Sequence, residues 1–246
     1  MLSVIIITKN EAHSIQACLE SVSWADEIIV VDSESEDQTV SICENYGAKV
    51  FEQEWLGFGK QKNYALSKAK GDWILSVDAD ERVTSALEIE IKQKIATSSK
   101  NVAWNIPRLS SLCGKYIQYC GWRPDNVTRL FKRGYGRFSD DIVHEKLIVN
   151  GKTGLLKNHL LHESIENIEA LLSKMNQYTS AGASMLYEQN KSTSLTKAIL
   201  KAIWAFFRCY VLRRGFLDGR EGFIISVSMA ESSYYRQLKL LMMRSK

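Results

Sequence analysis

The sequence predicts an α/β fold, in which helices flank a mostly parallel β-sheet and a helical C-terminal extension follows. Short apolar runs rich in β-branched residues are typical of strands buried on both faces, and four occur, at residues 2–8, 27–32, 49–53 and 73–78. Helical patterns separate these runs over about the first 80 residues, as in βαβ units. From Glu166 the pattern is helical to the end, which predicts two domains, 1–165 and 166–246.

The helices between the strands are predicted from apolar residues that recur on one face. In the first, Ile15, Leu19 and Val22 have this spacing. The predicted helices cover residues 12–22, 39–46, 61–70 and 87–95. Residues 102–154 carry Pro107, Pro124 and several glycines, and this stretch is predicted to be less regular.

The composition excludes a disordered chain and a disulfide scaffold. Of the 246 residues 45% are hydrophobic and only two are proline, which is ordinary for a globular protein. The five cysteines are odd in number and form no CxxC pair, and no signal peptide is recognisable at the N-terminus. These features predict free thiols in a reducing cytoplasm.

Positive charge is concentrated in the C-terminal part of the chain. Residues 195–246 contain 10 Lys or Arg against 3 Asp or Glu, a balance of +7, so the net charge of +4 leaves −3 for the rest. This asymmetry suggests an anionic partner, either a membrane surface or, less favoured, a nucleic acid.

Residues 195–212 are apolar but too short to span a bilayer, and Lys197, Lys201 and Arg208 interrupt them. On a helical projection these three cluster on one side, with Trp204 beside them. Six apolar residues fall on the other side: Leu195, Ile199, Ala202, Ile203, Phe206 and Tyr210. The pattern predicts a helix lying in a membrane interface, and it equally fits a helix whose apolar face packs on the first domain.

Three of the predicted strands end in polar residues. The first runs into Thr8, Asn10 and Glu11, and the second ends at Asp32. The fourth ends in an Asp-x-Asp sequence, Asp78 and Asp80, whose side chains point the same way on an extended chain. Because parallel sheets bind ligands beyond the carboxyl ends of their strands, we expect a polar site there, with carboxylates that suit Mg²⁺ or Mn²⁺.

The segments SVIIITKNE, VVDSESEDQT and GKQKNYALSKAKGDWILSVDADE, in this order and spacing, resemble family 2 glycosyltransferases of the GT-A (Rossmann-like) fold. Three later segments resemble one branch of that family: NVTRLFKRGYGRFSDDIVHEKL, KNHLLHES and FFRCYVLRRGFLDGREGF. That branch includes the lipopolysaccharide inner-core β-1,4-glucosyltransferases that act on heptose.

The resemblance assigns the residues that bind a nucleotide-sugar donor. It implies that Asp32 lies near the uracil and ribose, with Thr8, Asn10 and Glu11 in the same pocket. It places Lys62 and Asn63 close to the donor, and Asp78 beside the ribose or sugar. The Asp-x-Asp motif then gives Asp80 as a metal ligand, and His162 matches a third ligand of some GT-A enzymes.

The resemblance also implies an inverting single displacement, in which a carboxylate takes the proton of the acceptor hydroxyl. The candidates, Asp140, Asp141 and Glu145, lie in SDDIVHE. We favour Glu145, then Asp141.

The acceptor is expected at Trp122, Arg123 and His144. Trp122 could stack on a sugar or simply pack a loop, and Arg123 could pair with a phosphate or carboxylate. His144 adjoins the base candidate and is also a candidate for contact with the metal or the diphosphate.

The expected function is transfer of a hexose, glucose from UDP-glucose, to lipopolysaccharide inner-core heptose, assisted by a divalent cation. The protein would be peripheral on the inner face of the cytoplasmic membrane, with no nucleic-acid partner. One alternative is transfer to a capsular, polyprenyl-phosphate or protein acceptor. Another is a basic nucleic-acid-binding module without catalysis, for which no motif is recognisable.

Overall fold

The computed structural model describes residues 1–97, 99–140 and 145–244. It divides the chain into two units, each with its own core. The first comprises Met1–Arg108 and Asp125–His162, and the second comprises Leu109–Pro124 and Glu163–Lys246.

The first unit is built on four parallel strands in the order β3-β2-β1-β4. The strands are β1 (Leu2–Thr8), β2 (Glu27–Asp32), β3 (Lys49–Glu52) and β4 (Trp73–Ser76). The helices that connect them are α1 (Ile15–Val22), α2 (Thr39–Asn45) and α3 (Phe58–Lys68). The predicted α/β fold with a parallel sheet is therefore confirmed.

The apolar runs of the strands are explained by burial on both faces of the sheet. In β1, Leu2, Val4 and Ile6 belong to one hydrophobic core cluster, whereas Ile5 belongs to a second. Because successive side chains of a strand point to opposite faces, a strand covered on both sides must be apolar at nearly every position.

Residues 102–154 contain more regular structure than the sequence predicted. After β5 (Glu81–Val83) and α4 (Ser85–Ala96), the chain forms several further strands: β6 (Asn101–Leu112), β7 (Lys115–Tyr116), β8 (Asn126–Lys132), β9 (Gly136–Phe138), β10 (Leu147–Val149) and β11 (Lys152–Leu155). Strand β8 pairs antiparallel with both β4 and β6, and so extends the parallel sheet. Pro107 lies opposite Asn126 at the last register position of the β6–β8 ladder, where a strand tolerates a missing N–H.

Strand β12 (Leu160–Ile165) pairs antiparallel with β5, so that His162 lies opposite Glu81. This pairing joins the end of the first unit to the segment that follows Asp78 and Asp80.

The second unit contains the predicted helical extension, which is confirmed. It consists of α5 (Ile168–Glu188), α6 (Leu195–Phe207), a π-helical turn (Arg208–Leu212), a 3₁₀ turn (Gly215–Asp218) and α7 (Gly219–Arg244). Residues 109–124, which the sequence placed with the first domain, contribute Leu112, Ile117 and Cys120 to the core of this unit, where they meet Cys209 and Ile225. Within the described residues, no helix combines the length and apolar character needed to cross a bilayer.

Candidate active site

The carboxyl ends of the parallel strands bring the predicted donor residues together. Thr8 and Asp32 occupy the same register position of the β1–β2 ladder, and the next residue, Ser33, donates its N–H to the Thr8 carbonyl at 2.9 Å. The Thr8 hydroxyl is buried, and its Oγ1 has no hydrogen-bond partner within the described residues.

The Asp32 carboxylate is held by the loop that follows it. It accepts hydrogen bonds from the Ser35 N–H at 2.7 Å and from the Ser35 hydroxyl at 2.5 Å, and the residue is 1% exposed. Asn10 ties the first strand to this loop, because its N–H donates to Ser35 Oγ and its Oδ1 accepts from the Glu36 N–H, both at 2.8 Å. Asp32 and Asn10 thus fix the shape of this edge. Their contact with a nucleotide remains a prediction.

Glu11 lies in the loop that leads into α1, and its polar groups bind neighbouring residues. Its N–H donates to Thr39 Oγ1 at 2.8 Å, and its carboxylate accepts from the Ser14 hydroxyl at 2.6 Å. These bonds join the starts of α1 and α2.

Asp78 lies between two cations. Its carboxylate is 2.9 Å from Lys62 Nζ and accepts hydrogen bonds from both terminal nitrogens of Arg129, an arrangement that carboxylates and guanidinium groups favour. Burial alone would raise the pKa of Asp78, but Arg129 and Lys62 outweigh it and hold that pKa well below its usual range. Asp78 is therefore ionised and its charge is compensated.

Arg129 also binds Glu81, a residue with no exposed surface. Its Nη2 lies 2.7 Å from Glu81 Oε1, and Arg108 Nη1 lies 3.4 Å from the same oxygen. The other oxygen of Glu81 accepts the backbone N–H of Asp78 at 3.0 Å. Burial raises the pKa of Glu81, opposed by Arg129 and reinforced by the negative Asp78. Glu81 thus fixes the turn that carries the Asp-x-Asp sequence.

Sequence reasoning did not single out Arg129, Arg108 or Glu81. The available signal was a charged residue inside an apolar strand: Arg129 stands between Val127 and Leu130–Phe131 in β8. A buried arginine needs buried carboxylates as partners, because an unpaired charge is costly in a protein interior.

Lys62 connects Asp78 to the favoured base candidate. Its Nζ lies 2.7 Å from Glu145 Oε1 as well as 2.9 Å from Asp78 Oδ1, although Glu145 is 83 residues away in the sequence. The Lys62 side chain is buried, whereas those of Asp78 and Glu145 are partly exposed, so their carboxylates face an accessible space. In the structure, the single side chain of Lys62 thus bridges the carboxylates of Glu145 and Asp78.

The other base candidates differ from Glu145. Asp140 is 58% exposed at its side chain and lies 3.9 Å from Arg137, as a surface carboxylate does. Asp141 and His144 lie outside the described residues.

Asn63 holds strand β9 against α3. Its side-chain amide donates to the Phe138 carbonyl at 2.9 Å and accepts from the Phe138 N–H at 3.0 Å. These two bonds occupy the amide, and the contact with the donor that was assigned to Asn63 remains a prediction.

The two predicted metal ligands are adjacent. His162 Nε2 lies 3.1 Å from Asp80 Oδ2, and both side chains are partly exposed. Neighbouring ligands of an octahedral cation with bonds of about 2.1 Å are separated by about 3 Å, so this pair fits two coordination positions. Within the described residues no group of three His, Cys, Asp or Glu side chains converges.

The two described acceptor candidates, Trp122 and Arg123, belong to the second unit. Trp122 packs against the core that contains Ile117 and Ile225, and Arg123 donates a hydrogen bond to Gln118 Oε1. The structural role considered for Trp122 is thus observed, and acceptor contact by either residue remains a prediction.

Residues 3–112 match the family model "Glycosyl transferase family 2". The chain is 36% identical over 251 residues to an uncharacterised glycosyltransferase of Rickettsia felis, covering 97% of this chain and 89% of the relative. It is 30% identical over 251 residues to the lipopolysaccharide core biosynthesis glycosyltransferase LpsC of Rhizobium meliloti, covering 97% and 91%.

The fold is similar to that of a solved structure, the mannosyltransferase PcManGT of Pyrobaculum calidifontis in complex with GDP-Man and Mn²⁺. The TM-score is 0.58 at 16% identity, covering 98% of this chain and 86% of that one. This likeness supports the GT-A-type fold predicted from the sequence, and the relatives establish the activity class. The chain therefore belongs to the family 2 glycosyltransferases and is a glycosyltransferase enzyme.

Proposed function

We propose that this glycosyltransferase moves a hexose, glucose from UDP-glucose, to a heptose of the lipopolysaccharide inner core by an inverting single displacement. The observation that carries the mechanism is the bridge from Asp78 through Lys62 to Glu145. The observation that favours the acceptor is the similarity to LpsC over nearly the full length of both chains.

Glu145 is the proposed base. The acceptor hydroxyl attacks the anomeric carbon as the bond from that carbon to the diphosphate oxygen breaks, and its proton passes to the Glu145 carboxylate. The Lys62 ammonium forms an ion pair with this carboxylate at 2.7 Å. UDP leaves with the electron pair of the broken bond.

Asp78 is proposed to orient hydroxyl groups of the donor. A bare carboxylate beside a diphosphate would repel it, but Lys62 and Arg129 compensate the charge of Asp78. Thr8 Oγ1, which lacks a partner within the described residues, is proposed as a polar contact for the nucleotide, together with Asn10, Asp32 and Lys62.

Asp80 and His162 would hold the divalent cation, Mg²⁺ or Mn²⁺. Their oxygen and nitrogen donors lie 3.1 Å apart, which suits a shared ion. When bound, the cation supplies positive charge that stabilises the departing diphosphate.

The acceptor would be reached at the inner face of the cytoplasmic membrane, where the protein is proposed to bind peripherally. Trp122 and Arg123 are proposed to contact the sugar and its anionic substituents. His144, outside the described residues, remains part of this proposal.

The test is sugar transfer by the purified protein from a panel of UDP-sugars to heptose-terminated deep-rough lipopolysaccharide, with and without EDTA. We expect EDTA-sensitive transfer from UDP-glucose. Replacing the base, Glu145→Gln, is expected to lower kcat about 10²–10⁴-fold. The matched control is Asp140→Asn, which removes an exposed carboxylate of the same segment and should leave transfer unchanged.

Three results would revise the proposal separately. Transfer to a capsular, polyprenyl-phosphate or protein acceptor alone would replace the acceptor. Full activity of the Glu145→Gln enzyme would remove the base. Failure of every UDP-sugar to bind would remove the donor assignment.

A further inference from the structure

Helix α6 has two apolar sides, and among the described residues of the second unit one of them is used for packing. The buried side consists of Ala198, Ala205 and Cys209. Phe206 and Tyr210 also pack inward, since their rings lie 5.8 and 5.7 Å from that of Phe223 in α7. These residues account for the attachment of α6 to α7.

The opposite side of α6 is apolar and exposed. We name it the outer face. It comprises Leu200, Ile203, Trp204 and Phe207 of α6 and Val211 of the π-helical turn, which are 62%, 61%, 54%, 42% and 43% exposed. Their spacing of three and four residues keeps them within one stripe of about 100°. The stripe lies about 180° from Ala198, Ala205 and Cys209.

This arrangement corrects the apolar face expected from the sequence. Ala202, Phe206 and Tyr210 do point to the partly buried side, but Leu195, Ile199 and Ile203 are 51%, 45% and 61% exposed. A single helical projection could not separate the two sides, because nearly every position of α6 is apolar.

The turns after α6 continue the exposed apolar surface. Leu212, Phe216 and Leu217 are 56%, 49% and 51% exposed. Contiguous exposed apolar surface of this kind marks an interaction site rather than an ordinary protein surface.

Basic side chains border the outer face. Lys197, Lys201 and Arg208 are exposed on the side next to Trp204. Arg213 and Arg214 follow in the turns, and Arg220 lies at the start of α7. Across residues 195–220 there are six basic residues against one acidic residue, the buried Asp218, whose carboxylate accepts the N–H groups of Gln118 and Tyr119. The partner that fits this surface therefore offers apolar groups to the outer face and negative charge to the basic residues around it.

We propose that the outer face of α6 and the apolar residues of the following turns insert into the interfacial layer of an anionic lipid bilayer. An amphipathic helix buries its apolar face at the headgroup boundary while its basic residues attract anionic headgroups. Trp204, beside the basic residues, suits the headgroup level. The inference deepens the proposed function by identifying the surface that brings the enzyme to a membrane-anchored acceptor.

The test is co-sedimentation of the full chain with phosphatidylglycerol-containing vesicles and with phosphatidylcholine vesicles. We expect binding to the former that weakens as salt rises. The triple variant Leu200→Gln, Ile203→Gln, Trp204→Gln should bind at least tenfold more weakly. Replacing Arg208 and Arg214 with Gln should weaken binding about 25-fold, at about fivefold for each basic residue.

The matched control replaces two apolar residues of similar exposure elsewhere, Ile89 and Tyr178, with Gln, and it should bind like the unmodified chain. A second readout uses brominated lipids, which should quench tryptophan emission in the unmodified protein but much less in Trp204→Phe. That variant keeps an apolar side chain, so its loss of quenching reports the position of Trp204.

Absence of vesicle binding at low salt would overturn the inference, as would unchanged binding of the triple variant. A different result would assign the outer face to a second copy of the chain. In that case the protein would not bind vesicles and would sediment as a dimer, and the triple variant would sediment as a monomer. Vesicle binding is measured without donor or acceptor. A protein that does not bind vesicles is therefore distinguished from one that does not transfer a sugar. A triple variant that still glucosylates a soluble heptoside confirms that only membrane attachment was changed.

Discussion

Replacing Arg129 with Met should destabilise the first unit strongly. The change keeps much of the apolar stem but removes the guanidinium that contacts both Asp78 and Glu81. Glu81 has no exposed surface, so its charge would be left buried with only Arg108, 3.4 Å away, as a cation. Removing one partner of a buried ion pair costs about 3–5 kcal/mol. We expect the free energy of unfolding at pH 7 to fall by this amount.

The loss should depend on pH. Burial already raises the pKa of Glu81 in the folded protein, and removal of Arg129 raises it further. The ionised form therefore costs stability at neutral pH, and this cost falls as Glu81 becomes protonated. We expect the difference between Arg129→Met and the unmodified chain to narrow as the pH falls from 7 toward the ordinary glutamate pKa of about 4.3.

The assay is urea unfolding, followed by circular dichroism and tryptophan emission at several pH values. The double variant Arg129→Met, Glu81→Gln should recover a large part of the loss, because it removes the unpaired charge. Arg137→Met is the control: its side chain is 69% exposed and 3.9 Å from Asp140, so the change should cost less than about 0.5 kcal/mol. A cost below about 1 kcal/mol for Arg129→Met, or no recovery in the double variant, would refute the reasoning.

Three further outcomes test other parts of the structure. Asp80→Asn should abolish cation-dependent transfer and weaken Mn²⁺ binding in a calorimetric titration, without changing the melting temperature. Gly59→Ala should lower the stability of the first unit by about 1–3 kcal/mol in thermal unfolding, because a Cβ there would lie 1.8 Å from the Ser139 carbonyl oxygen. Asp218→Ala should destabilise the second unit by about 1–3 kcal/mol in urea, because two N–H groups, of Gln118 and Tyr119, lose their acceptor.

The parallel part of the fold could be predicted because its signals are local. In β1, seven consecutive residues carry the pattern of a strand covered on both faces. The structure places Leu2, Val4 and Ile6 in one core cluster and Ile5 in the other. Strand β6 could not be predicted in the same way. Its polar positions and Pro107 are compatible with a loop, and the strand is formed by ladders with β8 and β11, which are distant in sequence.

The sequence predicted the residues at the strand ends of the candidate site. It did not predict the ion pairs that connect them. Asp78 and Asp80 could be identified from their place after an apolar strand. The pairing of Asp78 with Arg129 spans 51 residues and that of Lys62 with Glu145 spans 83, and no periodicity connects such positions. Glu81 directly follows the Asp-x-Asp sequence, but its side chain turns into the protein and binds Arg129.

The position of Lys62 between two carboxylates gives a last prediction about the reaction itself. Asp78 Oδ1 and Glu145 Oε1 lie 2.9 and 2.7 Å from the same Nζ. Lys62→Met would leave these two negative groups facing each other across a buried methyl, and like charges at close range favour protonation of one of them. Arg129 and Lys62 together hold the pKa of Asp78 low, so loss of Lys62 raises that pKa.

We therefore expect the acidic limb of the pH–rate profile of Lys62→Met to move to higher pH, together with a lower kcat. Lys60→Met, an exposed position two residues earlier on the same helix, should leave the profile in place. A structural defect alone would lower activity at all pH values and leave the limb where it was. A shifted limb would show that the Lys62 ammonium keeps Asp78 ionised, so that the transfer depends on the charge of the donor-side carboxylate.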